Sequence, residues 1–348
     1  MKLADGKDKT KSVLFIIGNG FDLRLGMKTS YKHMYDDYVS SESNSENIAR
    51  FKEFLKMDKC NDYENWSDFE MGMADYAATL NTEKELIECV RNFRSHMVKH
   101  LQNEYDNINS VFQDKGYTSG LVESFTDSIH SFYKGHRPNI QNLIKSIIDE
   151  DNTEYNFITF NYTKTLESLM SLVFKRTSVV MNCPIHIHGT LDEGVILGID
   201  NIEQLKNMKY QLSISGKRTF IKPFSNECYD SNRVDLAQKL ILNSSIICIY
   251  GFSMGESDKV WVDMIKNWLL EDTNHHLFVN QYDTKKYNRY DYDEIMDVED
   301  EKKEIILKLL GIEEDVLDQI HIPVSYDIFN IKFEKVVLPT PMGSFKNY

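Results

Sequence analysis

The apolar run Val13-Leu14-Phe15-Ile16-Ile17, closing in Gly18-Asn19-Gly20-Phe21-Asp22, constrains this chain more than any other stretch. Consecutive apolar residues that enter a pair of glycines read as a buried parallel strand running into a tight turn. Neither glycine carries a Cβ and either can take φ > 0. The turn can therefore bring its N–H groups close to an anion at the start of the next helix. Asp22 then stands within reach of a ribose or a water. The fingerprint is partial, because Leu23 occupies the place of a third glycine. A plain strand-ending turn is the alternative reading.

The same rhythm returns in the second half. Tyr155-Asn156-Phe157-Ile158-Thr159-Phe160 reads as a strand ending at Asn161-Tyr162-Thr163, with a helix over Lys164–Phe174. Further strands are expected at Ser178–Asn182, Ile185–Gly189, Val195–Gly198, Ile246–Tyr250 (ending in Gly251-Phe252-Ser253) and His276–Asn280, with helices near Val234–Leu242 and Asp258–Leu270. Strand, turn, helix, strand is the order of a doubly wound parallel sheet of the Rossmann kind. Between its first two strands the period changes. Ile48, Phe51, Phe54 and Leu55, then Leu86, Val90, Phe93 and Met97, recur at helical spacing. We therefore expect a discontinuous α/β nucleotide-binding core over 1–38 and 153–300, a helical insertion over 39–152, and a C-terminal helical extension and tail over 301–348 carrying Pro339 and Pro341.

Composition narrows the function. The net charge of −14, with no compensating run of Lys and Arg, disfavours strong binding to a nucleic-acid backbone. The five cysteines, Cys60, Cys89, Cys183, Cys228 and Cys248, form no C-x-x-C pair, which argues against a disulfide framework and against structural zinc and fits a cytoplasmic protein. Met1–Lys11 is polar rather than a signal peptide. No stretch approaches the roughly 18 apolar residues of a membrane span.

Polar residues of one kind recur at the expected strand ends: Asn19 and Asp22, Asn161 and Thr163, His188, Ser253 and Asn280. Ligands of open parallel sheets bind outside the carboxyl ends of the strands, where such residues converge. Each also has a structural reading. Asn161, Ser253 and Asp258 can cap helices, His188 can serve a turn, and His186 can be a satisfied core histidine. Trp66, Asp68 and Glu70 of the insertion are explained by capping and packing, although the insertion can also roof the crevice and supply a carboxylate.

The order G-N-G-F-D, F-N-Y-T-K-T-L-E, H-I-H-G and G-F-S with a following Asp resembles the AbiH family of phage abortive-infection proteins, with Gly26, Thr29 and Tyr31 extending the first motif. That family in turn resembles distant members of the sirtuin-like NAD-binding superfamily. The resemblance implies that Gly18 and Gly20 approach the NAD pyrophosphate, and Asn19, Phe21, Thr163 and Gly251 are the further cofactor-binding candidates. It implies that Ser253 and Asn280 hold the adenosine end, and that Asn161, His188 and Asp22 do the chemistry. Two departures, the missing four-cysteine zinc module and Thr163 in place of Asp, point away from deacylation and toward NAD hydrolysis without a metal.

Cleavage of the nicotinamide–ribose bond expels a cation and passes through an oxocarbenium-like state, so no strong nucleophile is needed. Asn161 then holds the ribose hydroxyl or the water, His188 is the base, and Asp22 orients either. The alternatives are a nucleotide sensor without turnover and, further off, a metal-dependent nuclease or phosphoesterase. Expected partners are NAD or a related nucleotide, a phage-derived trigger and further copies of the chain.

Overall fold

In the computed structural model, residues 11–331 are described apart from 44, 58–65, 115–117, 149–152, 175–180, 229–231, 281–290 and 325. The tail with Pro339 and Pro341, the side chains of Trp66 and Asp68, Cys60 and most of the expected strand at Ser178–Asn182 lie outside the described residues. Within that last segment Met181 makes a single parallel bridge to Tyr155.

Val13–Ile17 are fully or almost fully buried, and the run forms the central strand, β1 (Lys11–Ile17). Its alternate residues serve two cores, as the two-residue period of a strand requires. With β2 (Thr153–Thr159), β3 (Ile185–His186), β6 (Ile246–Tyr250), β7 (His276–Asn280) and β8 (Ile320–His321) it builds a six-stranded sheet in the order β3-β2-β1-β6-β7-β8. Every pairing in it is parallel. The fold is thus mixed α/β around a parallel sheet.

Val13, Phe15 and Ile17 face α6 (Thr118–His130), α7 (Pro138–Ile147) and α8 (Thr165–Val173). Leu14 and Ile16 face α11 (Arg233–Asn243), α12 (Lys259–Glu271) and α13 (Tyr292–Leu310). Short α1 (Gly20–Arg24) follows the first turn. Helices α2 (Tyr31–Ser40), α3 (Glu46–Met57), α4 (Trp66–Thr79) and the 31-residue α5 (Glu83–Gln113) surround a third core of stacked rings, in which Phe69 lies 4.1 Å from Tyr31 and 4.2 Å from Phe93. Tyr162, Val195, Leu197 and Ile199 of the second half belong to the same core, beside α9 (Ile214–Phe220) and α10 (Lys222–Cys228). The insertion is therefore packed on the sheet's loops. At 1.5 Å per residue α5 runs roughly 46 Å, and its buried residues pass from the third core (Leu86 to Leu101) to the first (Ile108, Phe112).

Two expected elements come out differently. Val195–Gly198 does not join the sheet. Gly189, Gly194 and Gly198 sit at φ +74°, +110° and +153°, so the chain doubles back through a small antiparallel hairpin, β4 (Gly189–Thr190) with β5 (Gly194–Val195). For the same reason the expected strand Ile185–Gly189 contributes only its first two residues to the sheet. Conversely β8 arises from a region read as helix and tail, where a two-residue strand has no periodicity to display.

Candidate functional site

At the junction of β1 and β6 the glycines are needed for close approach rather than for an unusual φ. Gly18 N–H donates to the Tyr250 carbonyl and Gly20 N–H to the Gly251 carbonyl, each at 2.9 Å. A Cβ on Gly18 would meet the Gly251 oxygen at 2.4 Å, and one on Gly20 would meet the Gly251 Cα at 2.5 Å. Only Gly251 takes the left-handed conformation, at φ +64°. The two turns are thereby locked together, and these two N–H groups already have carbonyl partners.

Locking the turn sets α1, which carries Asp22, against the end of β2. Asp22 is 1% exposed, and its Oδ2 accepts from Thr163 Oγ1 at 2.5 Å, whose hydroxyl in turn lies 3.0 Å from Thr165 Oγ1. Among the described residues its other oxygen, Oδ1, and Oδ1 of Asn161, which is 6% exposed, make no hydrogen bond of good geometry, although the Asn161 amide lies close enough to act on the carboxyl. Asp22, Asn161, Asn19 and Thr163 line one small cleft together with Thr29, Phe160, Tyr162 and Leu101 of α5. Its volume is about 20 Å³, which is room for one water. Asn19 is fixed to the rim by reciprocal bonds with Thr29, donating to its carbonyl at 3.2 Å and accepting from its hydroxyl at 2.6 Å. Burial raises the Asp22 carboxyl to about 7; the hydroxyls of Thr163 and Thr165, the Asn161 amide and the nearby His186 ring pull the other way.

The two histidines fall on opposite sides of a wall. His186, expected to be a core residue, places Nδ1 2.8 Å from the Asn161 carbonyl and Nε2 against the Glu167 carboxylate, so it braces the segment that carries Asn161. His188, expected to be the base, does not line the Asp22 cleft. Its ring lies edge-on to Phe160 (5.2 Å) and tilted against Tyr162 (6.1 Å), and its Nε2 is 3.0 Å from Asp258 Oδ1. Asp258 belongs to a buried cluster absent from the expectations. Lys222 Nζ donates to Glu70 Oε2 (2.9 Å), Asp258 Oδ1 (2.7 Å) and the Ser257 carbonyl (2.7 Å). Lys222 holds the Asp258 carboxyl well below the usual range against its burial, while burial pushes Asp200 up to about 7. Glu70, the insertion carboxylate, also accepts from the Gly198 N–H at 3.0 Å. It therefore ties α4 to the hairpin and to α10.

The remaining expected contacts lie apart from the cleft. Phe21 points into the first core, against Tyr250 and Phe329. Ser253 is exposed on the turn after β6. Asn280, buried at the end of β7, donates to Cys248 Sγ at 3.2 Å, and among the described residues its own oxygen has no partner. Sequence reasoning missed Lys222, Asp200 and Leu101, and singled out Thr29 only as an extension of the first motif. Lys222 carries the one signal that could have been used, a charged residue directly after the apolar pair Phe220-Ile221. Among the described residues no group of three or more His, Cys, Asp or Glu side chains is placed to hold a metal ion, and no helix is long and apolar enough to cross a membrane.

Sheet and cleft together define a class: an α/β protein with a six-stranded parallel sheet and a buried polar pocket where the carboxyl ends of β1 and β2 meet a helical roof. The family model for bacteriophage abortive infection AbiH matches residues 14–280. The chain belongs to the AbiH family, which implies a part in phage abortive-infection defence. A comparison with curated proteins gives no match.

Proposed function

We propose that the chain defends against phage by hydrolysing NAD to nicotinamide and ADP-ribose in the Asp22–Asn161 cleft. The observation that carries this reading is a pair of acceptor oxygens, Asp22 Oδ1 and Asn161 Oδ1, that among the described residues make no hydrogen bond and lie buried at one water-sized cleft. Leaving buried acceptors without donors costs about 1–3 kcal/mol each, and a ribose diol or an attacking water offsets that cost. Asp22, poised at about 7, is the general base, in place of His188. It takes the proton of the water as positive charge develops on the sugar, and its own negative charge stabilises that state. Asn161 holds the water or hydroxyl in line, with His186 fixing its backbone. The sheet order supports a nucleotide ligand: counting sheet strands alone it is 3-2-1-4-5-6, that of classic doubly wound dinucleotide-binding folds. Because the cleft holds only a water, the sugar enters when the roof at Leu101 lifts.

The reading is tested by incubating the purified protein with NAD and separating the products. Nicotinamide and ADP-ribose in equal amounts are expected, with release rising as pH passes through about 7, where Asp22 ionises. Asn161→Ala and Asp22→Asn should each lower the rate at least about 100-fold. The Gly18 and Gly20 N–H groups are bonded to Tyr250 and Gly251, so in either reading the phosphates are held by other groups; the second reading is a nucleotide sensor without turnover. Saturable NAD binding without products would select it.

A further inference from the structure

After β8 the chain returns to the end of the sheet where Asp22 stands. Residues 326–331 form no helix or strand, yet Ile328, Phe329 and Ile331 are buried in the first core. Phe329 is the anchor. Its ring lies edge-on to Phe21 at 5.1 Å and to Tyr250 at 4.8 Å. Tyr326 fills the space left by Gly135, where a Cβ would lie 2.3 Å from its ring, and its hydroxyl donates to the Ser131 carbonyl at 3.1 Å. Between these anchors Asp327 accepts from the Tyr250 hydroxyl at 2.8 Å through one oxygen and from Arg24 Nε through the other. Arg24 Nη2 also donates to Asn330 Oδ1 at 2.8 Å. The segment thus ties the end of β6 to the end of α1.

Helix geometry gives this tie its consequence. α1 has five residues, too few to be held by its own hydrogen bonds, so its contacts set its direction. Successive residues lie about 100° apart around a helix, which puts Arg24 on roughly the opposite side from Asp22. Arg24 and Phe21 meet residues 326–331, while Asp22 meets Thr163 and the cleft. The glycine turn fixes the start of α1 through Gly18 and Gly20; the later segment fixes its end. We propose that residues 326–331 are a strap that positions Asp22: Asp327, Asn330 and Phe329 hold α1 from behind against the end of β2 and so keep the Asp22 carboxyl out of water. The inference rests on the reading of Asp22 as the working carboxylate of the cleft, and it makes Asp327 and Arg24 positioning residues. Their side chains are 21% and 27% exposed. An ion pair open to water to that degree contributes little to folding stability, so its removal leaves the fold in place and reports on Asp22.

The experiment is a pH titration of the full chain followed by the NMR signals of its aspartate carboxyl carbons, with the Asp22 signal assigned by its loss in Asp22→Asn. In the wild type Asp22 should titrate at about 7. His186, on β3, is the ionisable neighbour that acts on it, and every variant keeps that ring. Arg24→Ala sets two effects against each other. Taking a cation away raises a carboxyl's midpoint, whereas admitting water to it lowers the midpoint. The strap predicts a fall of at least about one pH unit. Asp327→Ala, which removes the opposite charge, should give a fall as well; charge alone cannot move both variants the same way. Arg24→Lys, which keeps the charge and loses the fork to Asn330, should fall by less. If Arg24→Ala does not fold, Arg24→Lys decides, since with the charge kept any fall reports position. A midpoint that rises or stays in Arg24→Ala, or stays in Asp327→Ala or Arg24→Lys, overturns the proposal, as does a wild-type Asp22 that titrates near its ordinary 3.8. Nicotinamide release by Arg24→Ala should fall about tenfold in kcat with little change in KM. A wild-type chain that releases no nicotinamide overturns NAD hydrolysis alone, because the titration reads Asp22 without substrate.

Discussion

At Asp22, the proposed base, the chemistry proposed and the stability of the fold pull against each other. Its carboxyl sits at about 7 in the folded protein against an ordinary 3.8, so the native state holds the proton more tightly than the unfolded chain. Folding stability from this group is fully present below pH 4 and is lost as pH rises through 7. The loss is on the order of a few kcal/mol. Asp22→Asn should therefore raise the melting temperature at pH 8, with the gain vanishing near pH 4, while abolishing activity; an equal shift at both pH values would contradict the buried-carboxyl explanation. Asn19, Asp22, Asn161 and Thr163 were legible in the sequence because each stands where an apolar run meets a turn, and four such places on a parallel sheet share one end. The placement of His186 and His188 was not legible. They are two residues apart, but β3 ends at His186 and Ile187 and His188 already lie in the turn, so strand alternation does not carry over from one to the other. His186→Ala should lower the rate by loosening Asn161, whereas His188→Ala should act mainly through stability, as Asp258 loses a buried partner; the ratio of rate loss to melting-temperature loss in the two variants separates them.

At the level of elements, the molecule is fastened at two points that involve few residues. The first is the contact of the β1 and β6 turns, where Gly18→Ala places a methyl 2.4 Å from a backbone oxygen. A loss of about 3 kcal/mol or more is expected in urea denaturation, since neither strand end can move without breaking sheet register. The second is Lys222, which joins α10 to α4 through Glu70 and to the start of α12 through Asp258. Lys222→Met should cost about 3–5 kcal/mol, because it strands two buried carboxylates, and adding Glu70→Gln should recover part of that cost. The long strands were readable from their apolar and β-branched runs. The short ones were not: β8 is two residues long, and Val195–Gly198, four residues buried from all sides, reads as a strand whichever core encloses it.

Over the whole molecule, α5 connects the insertion's core to the core beneath the sheet and places Leu101 over the Asp22 cleft. Beside Leu101, which is buried in the third core, its polar ties to the rim are few. His100 Nε2 bonds the Lys28 carbonyl at 2.7 Å and the Lys28 N–H donates to Glu104 at 2.7 Å, both on the exposed side, and such bonds contribute about 1 kcal/mol each. The proposed hydrolysis requires this roof to open, and a phage-derived trigger that binds the open form would raise its population. Cells expressing the wild-type chain should then grow normally until infection. The direct measurement is the NAD content of such cells before and after phage challenge, beside cells expressing Asn161→Ala at equal level. NAD should fall only in challenged wild-type cells, with protection lost in the variant; constant NAD in wild-type cells that are nevertheless protected would contradict NAD hydrolysis as the means of defence.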